Sequence, residues 1–387
     1  MSCRWRVLLL LFLARCVMGM QFESIGALGP MLKAEGLDYG QLGILIGAYL
    51  APGFVVALPG GVVVQRLGDR RTVLLCLALM AAGGIVELDA DWIIRLVGRV
   101  LAGTGGVVLT VAATKMIVDR FTGKDLATAM AVFVNSWPCG IALALVCLPP
   151  VAQAFGSAAA STLVTGLALL TLLVFAARLP ATAAGASVAT TIPAAPALAA
   201  VCVIAVAWGI ANAAFATVFG FGPALLVEKG YAAATAANHV SAVLWVTILA
   251  IPVGGAVAAR QASPATLIVA CTVVGAALVA AVPRIDADII VFVGIGVMAG
   301  LPGAAIMSLP ARVLPASARA VGMGIFYSIY YGIMLVFPVI EGVLARRAGS
   351  AGVTFDAAAV ALLVTIPMFA AFIALARLAP APETAAA

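Results

Sequence analysis

Apolar segments long enough to span a membrane follow one another along nearly the whole 387-residue chain, separated by short polar turns. That succession constrains the fold more than any single residue does. About 20 apolar residues cross roughly 30 Å of hydrocarbon as a helix, and within that layer backbone groups must be satisfied inside the segment. Hydrophobic residues make up 65% of the chain and charged residues 9%, against about 25% charged in a soluble domain. A soluble globular fold is therefore excluded. The runs are also too continuous for the short alternating strands of a membrane barrel. The class is all-α integral membrane. The net charge of +6 is spread over short loops, so it marks topology and not a nucleic-acid surface.

Twelve spans are predicted, at about 5–28, 41–64, 72–88, 93–116, 127–150, 158–178, 197–221, 239–259, 265–282, 288–310, 320–344 and 354–376. The uncharged, small-residue stretch Pro180 to Pro193 divides them six and six. We therefore expect an N-terminal six-helix bundle over 1–178, a cytoplasmic linker over 179–196 and a C-terminal bundle over 197–387. The start, with Arg4 and Arg6 before an apolar run, imitates a signal peptide, and Cys16 hints at a lipoprotein site. Arg15 beside it is a poor small-residue cleavage position, and the segment reads as an uncleaved first helix.

The positive-inside rule supports this count. With the N-terminus cytoplasmic, 13 basic residues fall on the cytoplasmic side and six on the other, with Arg15 and Arg99 inside spans. Both termini are then cytoplasmic, in an inner membrane. Seven cysteines without a CxxC pair and a single histidine give no metal or disulfide framework. No G-x-x-x-x-G-K-[ST] phosphate loop occurs, so ATP-driven pumping has no support. Neither a cofactor nor an enzymatic activity is expected.

Two motifs carry a resemblance. After span two the chain reads Gly61-Val-Val-Val-Gln65-Arg66-Leu67-Gly68-Asp69-Arg70-Arg71, and span four holds Arg99-Val-Leu-Ala-Gly103-Thr-Gly105-Gly106. Gly61 would let helices approach, Gly68 would permit a tight turn, and the arginines could hold helix C-terminal carbonyls. Gly255 to Arg260, ending span eight, repeats the spacing of Gly61 to Arg66. These motifs resemble those of the major facilitator superfamily, and spans one and two look like its cyanate-permease-like branch. The resemblance implies two bundles rocking about a central site, with the loop from Gly61 to Arg71 as a cytoplasmic latch. Gln65 stands where that family usually has aspartate, which weakens the latch. On span five Asn135-Ser-Trp137-Pro138-Cys139-Gly140 replaces the Gly-Pro-x-x-Gly-Gly run of the family's drug antiporters, which counts against drug export.

Candidate transport residues follow from cost. Arg15 lies too deep in span one to snorkel, so it needs a cavity, a counter-ion or an anionic solute; a tie to another helix is the competing reading. Arg99 has the same choice between coupling and a structural ion pair. Glu23, Glu87 and Glu341 could each carry a coupling proton if burial favoured the neutral form. Glu23 is preferred, and Glu87 and Glu341 are expected to be wetted, with Arg346 neutralising Glu341. Tyr327, Tyr330 and Tyr331 share one helical face, and Asn135 and Asn212 are the deep amides of spans five and seven. The expected substrate-binding set is Arg15, Asn135, Asn212, Tyr327, Tyr330 and Tyr331, and the coupling or gating set is Glu23, Arg99, Gly61, Arg66, Gly68 and Arg70. The function expected is secondary transport of a small anionic organic solute by alternating access, functional as a monomer, with proton symport open. Proton-driven export of cations or drugs through Glu23, and a non-transporting membrane scaffold, are the alternatives.

Overall fold

The computed structural model describes residues 3–56, 67–178, 192–260, 265–286, 289–315 and 318–378. Among them the elements are helices only: α1 Cys3–Ala34, α2 Tyr39–Ala48, α3 Ala51–Val56, α4 Asp69–Val86, α5 Trp92–Val118, α6 Gly123–Phe155, α7 Ser157–Arg178, α8 Ala195–Glu228, α9 Ala233–Arg260, α10 Ala265–Ala281, α11 Ile289–Gly300, α12 Gly303–Met307, a 3-10 turn at Pro310–Arg312, α13 Arg319–Ala348 and α14 Gly352–Ala376.

Among the described residues ten segments are long and apolar enough to cross a bilayer, with Tyr39–Val56 and Ile289–Met307 each counted as one. Two further helices complete the twelve predicted spans. One is α4, whose first turn carries Asp69, Arg70 and Arg71, and the other is α10, with 17 residues. Of the prolines within spans among the described residues, two stand at helix interruptions. Pro52 and Pro302 are each followed by glycine, and the chain breaks there into α2/α3 and α11/α12. Proline removes a helical N–H and glycine adds backbone freedom, so the pair breaks a helix more readily than proline alone. Pro138, Pro252, Pro338 and Pro367 stay inside continuous helices.

The two halves repeat each other at a spacing of 194 positions. Gly36 and Gly230 stand at that spacing and end α1 and α8 with φ of 106° and 93°. Both form the same cap. Leu37 N–H donates to the Leu32 carbonyl and Gly36 N–H to Lys33, just as Tyr231 donates to Leu226 and Gly230 to Val227. This is the paired bonding of a Schellman motif, which glycine at positive φ permits. Gly26 and Gly220 have the same separation and meet each other: a Cβ on Gly26 would lie 3.0 Å from Gly220 Cα. The helices α1 and α8 therefore cross at equivalent points.

Helix contacts in lipid are made by small residues that let backbones approach, because the surrounding tails are as apolar as the core. Inside the first half α1 packs on α6, and α4 packs on α5 and α7; inside the second, α8 packs on α13 and α14, and α9 on α11. Across the halves α2 packs on α13, α6 on α9 and α1 on α8. The α2–α13 seam is the tightest of the cross-half contacts. A Cβ on Gly43 would overlap the Pro338 carbonyl, one on Gly47 the Leu335 carbonyl, and one on Gly342 would lie 3.0 Å from Gly43 Cα.

This seam ends at a polar clamp on the side carrying the α1–α2 turn, called here the Asp38 side. Asp38 caps α2 in a reciprocal box: it accepts from Gln41 N–H at 2.8 Å while Gln41 Oε1 accepts from Asp38 N–H at 2.9 Å. Its other oxygen faces Arg346 of α13 at 3.6 Å. Glu228, the last residue of α8, accepts from the Tyr39 hydroxyl, from Ser350 Oγ at 2.7 Å and from the Ala351 N–H at 3.2 Å, with Lys33 Nζ 3.7 Å away. One carboxylate thus joins the ends of α1 and α2 to the α13–α14 turn.

The α1–α6 crossing gives a direct test of the small-residue packing. A Cβ on Gly140 would overlap the Cys16 carbonyl, whereas one on Gly166, on the exposed face of α7, meets nothing within 4 Å. Gly140→Leu is expected to destabilise the purified protein by about 1–3 kcal/mol, the usual cost of overpacking. Gly166→Leu should leave the thermal midpoint in detergent unchanged.

Candidate functional site

Arg15 sits twelve residues into α1, about 18 Å along the helix. Its Nη1 donates to the carbonyls of Phe133, at 2.9 Å, and Val134, at 3.2 Å, on α6. A carbonyl inside a helix is normally occupied by the N–H four residues on. For Val134 that residue is Pro138, which has no N–H. The proline therefore frees one of the carbonyls that hold Arg15. The close α1–α6 crossing at Gly19 and Gly140, one turn further on, brings the two backbones within reach. The guanidinium also lies 4.7 Å from the Phe133 ring centroid and 6.0 Å from that of Trp137, a cation–π arrangement contributing about 0.5–2 kcal/mol. Its Nε is buried and has no partner.

The three tyrosines of α13 face this cation from the other half. Arg15 is within electrostatic range of Tyr327, Tyr330 and Tyr331. Their rings form a triangle with centroids 5.1–6.4 Å apart. Tyr331 is buried against Gly53, while Tyr327 keeps 36% of its surface exposed. Asn135 stands two residues from Phe133. Its Nδ2 lies 3.5 Å from the Ile248 carbonyl of α9, and its Oδ1 is buried without a partner. Arg15, the tyrosines and Asn135 are thus gathered where the halves meet. Asn212 is not tied into that group: its Nδ2 donates at 2.8 Å to the Trp208 carbonyl of its own helix.

The second intramembrane arginine is held quite differently. Arg99 is fully buried. Its Nη1 donates to the Gln21 carbonyl at 2.5 Å, Nη2 to Phe22 at 2.7 Å and Nε to Leu45 at 3.1 Å, with Ser24 Oγ at 3.4 Å and Glu87 Oε1 at 3.5 Å. Tyr49 lies beneath it, 4.8 Å from ring centroid to guanidinium. One side chain of α5 therefore binds α1, α2 and α4. The glycines of the same motif seat the same helices: a Cβ on Gly103 would overlap the Tyr49 carbonyl, one on Gly105 the Cys76 carbonyl, and one on Gly106 would crowd Met18. Arginine and glycines act together as the hub of the first half, out of reach of its surface.

Two expectations about carboxylates need correction. Glu87 and Glu341 are not wetted; their exposures are 7% and 1%. Glu87 serves as the anion beside Arg99. Arg346 does not neutralise Glu341, because it turns to Asp38. Glu23 is buried beside Gly26 at the α1–α8 crossing, with its Oε1 unpartnered and Arg99 as its electrostatic neighbour.

Of the loop residues, Gly61, Gln65 and Arg66 lie outside the described residues. Gly68 precedes α4 with φ of 76°, and Arg70 donates to the Ala176 carbonyl at the end of α7, at 2.9 Å. The sequence reading missed Asp69. It is buried, 3.1 Å from Lys115 and 3.5 Å from Arg120, and binds the start of α4 to the end of α5. Its place between Gly68 and Arg70 was the available signal, because a carboxylate amid four basic or turn residues implies an internal partner.

Arg99→Leu strips three backbone carbonyls and Glu87 of their donor, and breaking a buried pair in this way costs about 3–5 kcal/mol. Arg99→Lys should not rescue, because one ammonium cannot match the fork of a guanidinium. Both variants are expected to lower the thermal midpoint and membrane yield.

Residues 11–338 match the sequence profile of the Major Facilitator Superfamily. The inner membrane transport protein YajR of Escherichia coli (strain K12) is 29% identical over 127 residues, which cover 32% of this chain and 27% of that protein. Two solved structures share the fold over almost the whole length. One is a bacterial homologue of the human lysosomal transporter Spinster, inward-facing and occupied, with a TM-score of 0.72, 16% identity and coverage of 98% of this chain and 97% of that one. The other is the nucleoside transporter NupG, with a TM-score of 0.77, 12% identity and coverage of 97% and 100%. A cyanate-permease-like branch is a finer assignment than these matches support. With two repeated six-helix halves, the glycine–arginine hub and a profile match over most of its length, the chain belongs to the major facilitator superfamily of membrane transporters.

Proposed function

We propose that the protein carries a small organic anion across the inner membrane by alternating access, and that Arg15 and the α13 tyrosines form its binding site. The observation that carries this reading is the Arg15 guanidinium: it lies deep along α1 between α6 and the α13 tyrosines, and its Nε has no partner. A cation there requires an anion or water, and no carboxylate lies within ion-pair distance of it among the described residues. Tyrosine hydroxyls and the Asn135 amide supply neutral hydrogen bonds beside it, suited to a carboxylate-bearing solute of modest size. A purely structural Arg15 would resemble Arg99, with each donor nitrogen occupied.

In this reading the Asp38 side is the outer face, as the split of basic residues implies, and both termini are cytoplasmic. The halves are residues 1–178 and 197–387, joined by 179–196. The clamp at Glu228 and the α2–α13 glycine seam close the outer face, so solute enters from the cytoplasmic side in this state. Rocking the halves about the α1–α8 crossing would reverse that access. The protein acts as a monomer, since each chain contributes both walls of the site. Asn212 stands outside this set, because its amide donates to the Trp208 carbonyl of its own helix.

A thermal-shift screen of the purified protein against small carboxylates, inorganic anions and organic cations tests the reading. Ligand at about a hundredfold excess over Kd stabilises by about 2.7 kcal/mol, a readable rise in melting temperature. Carboxylates should stabilise the wild type, and Arg15→Gln should abolish that shift while keeping its own cooperative transition. Stabilisation by cations alone, or an undiminished carboxylate shift in Arg15→Gln, would overturn the anion site. Pro138→Ala restores an N–H for the Val134 carbonyl, and it should weaken the carboxylate shift while leaving Arg15 in place.

A further inference from the structure

Glu341 is the most deeply buried carboxylate among the described residues, with 1% of its surface exposed, and no basic residue is paired with it. It lies on α13 seven residues before the helix end, about 10 Å below the Asp38 side. Its one hydrogen-bonded side chain is Thr217 of α8. That hydroxyl has a single hydrogen and two acceptors in reach, Glu341 Oε1 and the Ala213 carbonyl of its own helix, the latter at 3.2 Å. If Glu341 carries a proton, it donates to Thr217 Oγ and the threonine hydrogen turns to Ala213, so every group is satisfied. If Glu341 is ionised, the threonine must abandon Ala213, and one neutral hydrogen bond is all that supports a charge in hydrocarbon. The arrangement suits the acid, not the anion.

Charged groups on the elements packed around it are engaged elsewhere. Asp38, capping α2, faces Arg346, Glu228 of α8 binds Tyr39 and Lys33, and Asp356 of α14 binds Arg284. Glu23 of α1 stands beside Gly26, against Gly220, three residues along α8 from Thr217, and has Arg99 as its electrostatic neighbour. None of them supplies Glu341 with a counter-charge.

Next to Glu341 runs the seam that closes the Asp38 side. Pro338 and Gly342, on either side of it in the chain, are the α13 residues that touch Gly43 of α2. We propose that Glu341, with Thr217, is a proton-binding site whose occupancy is linked to closure of that side. With the seam parted, the carboxylate takes a proton from water. With the seam closed, the neutral acid is sealed between α8 and α13. A ligand shifts a two-state equilibrium only through its different affinity for the two states, and the proton here binds the closed one more tightly. The linkage rests on the alternating-access part of the proposed function but not on its anion.

Infrared difference spectroscopy between neutral and alkaline pH reads the site with no solute present. A protonated carboxyl has a C=O stretching band that a carboxylate lacks. The wild type should show this band, Glu341→Gln should lose its contribution, and Glu23→Gln should keep it. Thr217→Val should shift its frequency by removing the hydrogen-bond partner, which gives an independent readout if Glu341→Gln folds poorly. Spin labels at Glu35 and Ala348, both exposed, report closure in a cysteine-replaced protein. Their separation should grow at alkaline pH in the wild type and stay short in Glu341→Gln. A carboxyl band indifferent to both Glu341→Gln and Thr217→Val, or an interlabel distance with the same pH response in Glu341→Gln, would overturn the proposal. Failure of carboxylates to bind would leave these results untouched.

Discussion

A polar group inside hydrocarbon must find its partner within the protein, and this structure is arranged around how a few such groups find theirs. Arg99 has a complete set: three backbone carbonyls, a serine, a carboxylate and an aromatic face. A guanidinium so enclosed binds three helices to a fourth, and the first half becomes one body. Arg15 has an incomplete set, fixed to α6 through one nitrogen while another has no partner. The proposed anion site rests on that contrast. Pro138 supplies part of the grip that Arg15 does have, because its missing N–H leaves the Val134 carbonyl free to accept.

The same logic extends to motion. The contacts within each half include buried polar networks that would be costly to part. Many contacts between the halves are glycine seams and an exposed clamp, such as the Arg346–Asp38 pair whose side chains are both about half exposed. Ion pairs of that kind contribute little individually, and close glycine contacts can separate without leaving charges bare. Under the proposed alternating access, each half moves as a unit while the seam opens. Glu341 is the exception along the seam, a buried carboxylate without a basic partner, and the proposed linkage makes closure depend on whether it holds a proton.

Much of the fold was legible because lipid imposes a simple rule on sequence. Span number and the approximate span limits follow from apolar length and loop charge. Helices overran those limits, as α8 does by reaching Glu228, because a helix continues past the hydrocarbon until a residue such as Gly230 ends it. Arg15 and the tyrosines were found separately, since depth and i, i+3, i+4 spacing are local properties. Their meeting was not derivable, because it depends on how α1 and α13 are packed. For the same reason Glu341 looked like an ordinary end-of-span acid. Arg346, five positions on in the chain, turns to Asp38 and not to Glu341, and Thr217 lies on another helix. The pairing of Asp69 was not legible for the same reason, because its partners Lys115 and Arg120 stand at the far end of α5, more than forty positions away in the chain.

The central proposal is that the site formed by Arg15 and the tyrosines is reached from each side of the membrane in turn. Its most direct measurement places a single cysteine at position 327 in an otherwise cysteine-free protein. A membrane-impermeant thiol reagent is then applied to oriented vesicles of either sidedness. The account predicts labelling from both sides, faster from the side opposite Asp38, and protection from both by a carboxylate that stabilises the protein. Labelling from one side only, under every pH and ligand condition, would contradict it.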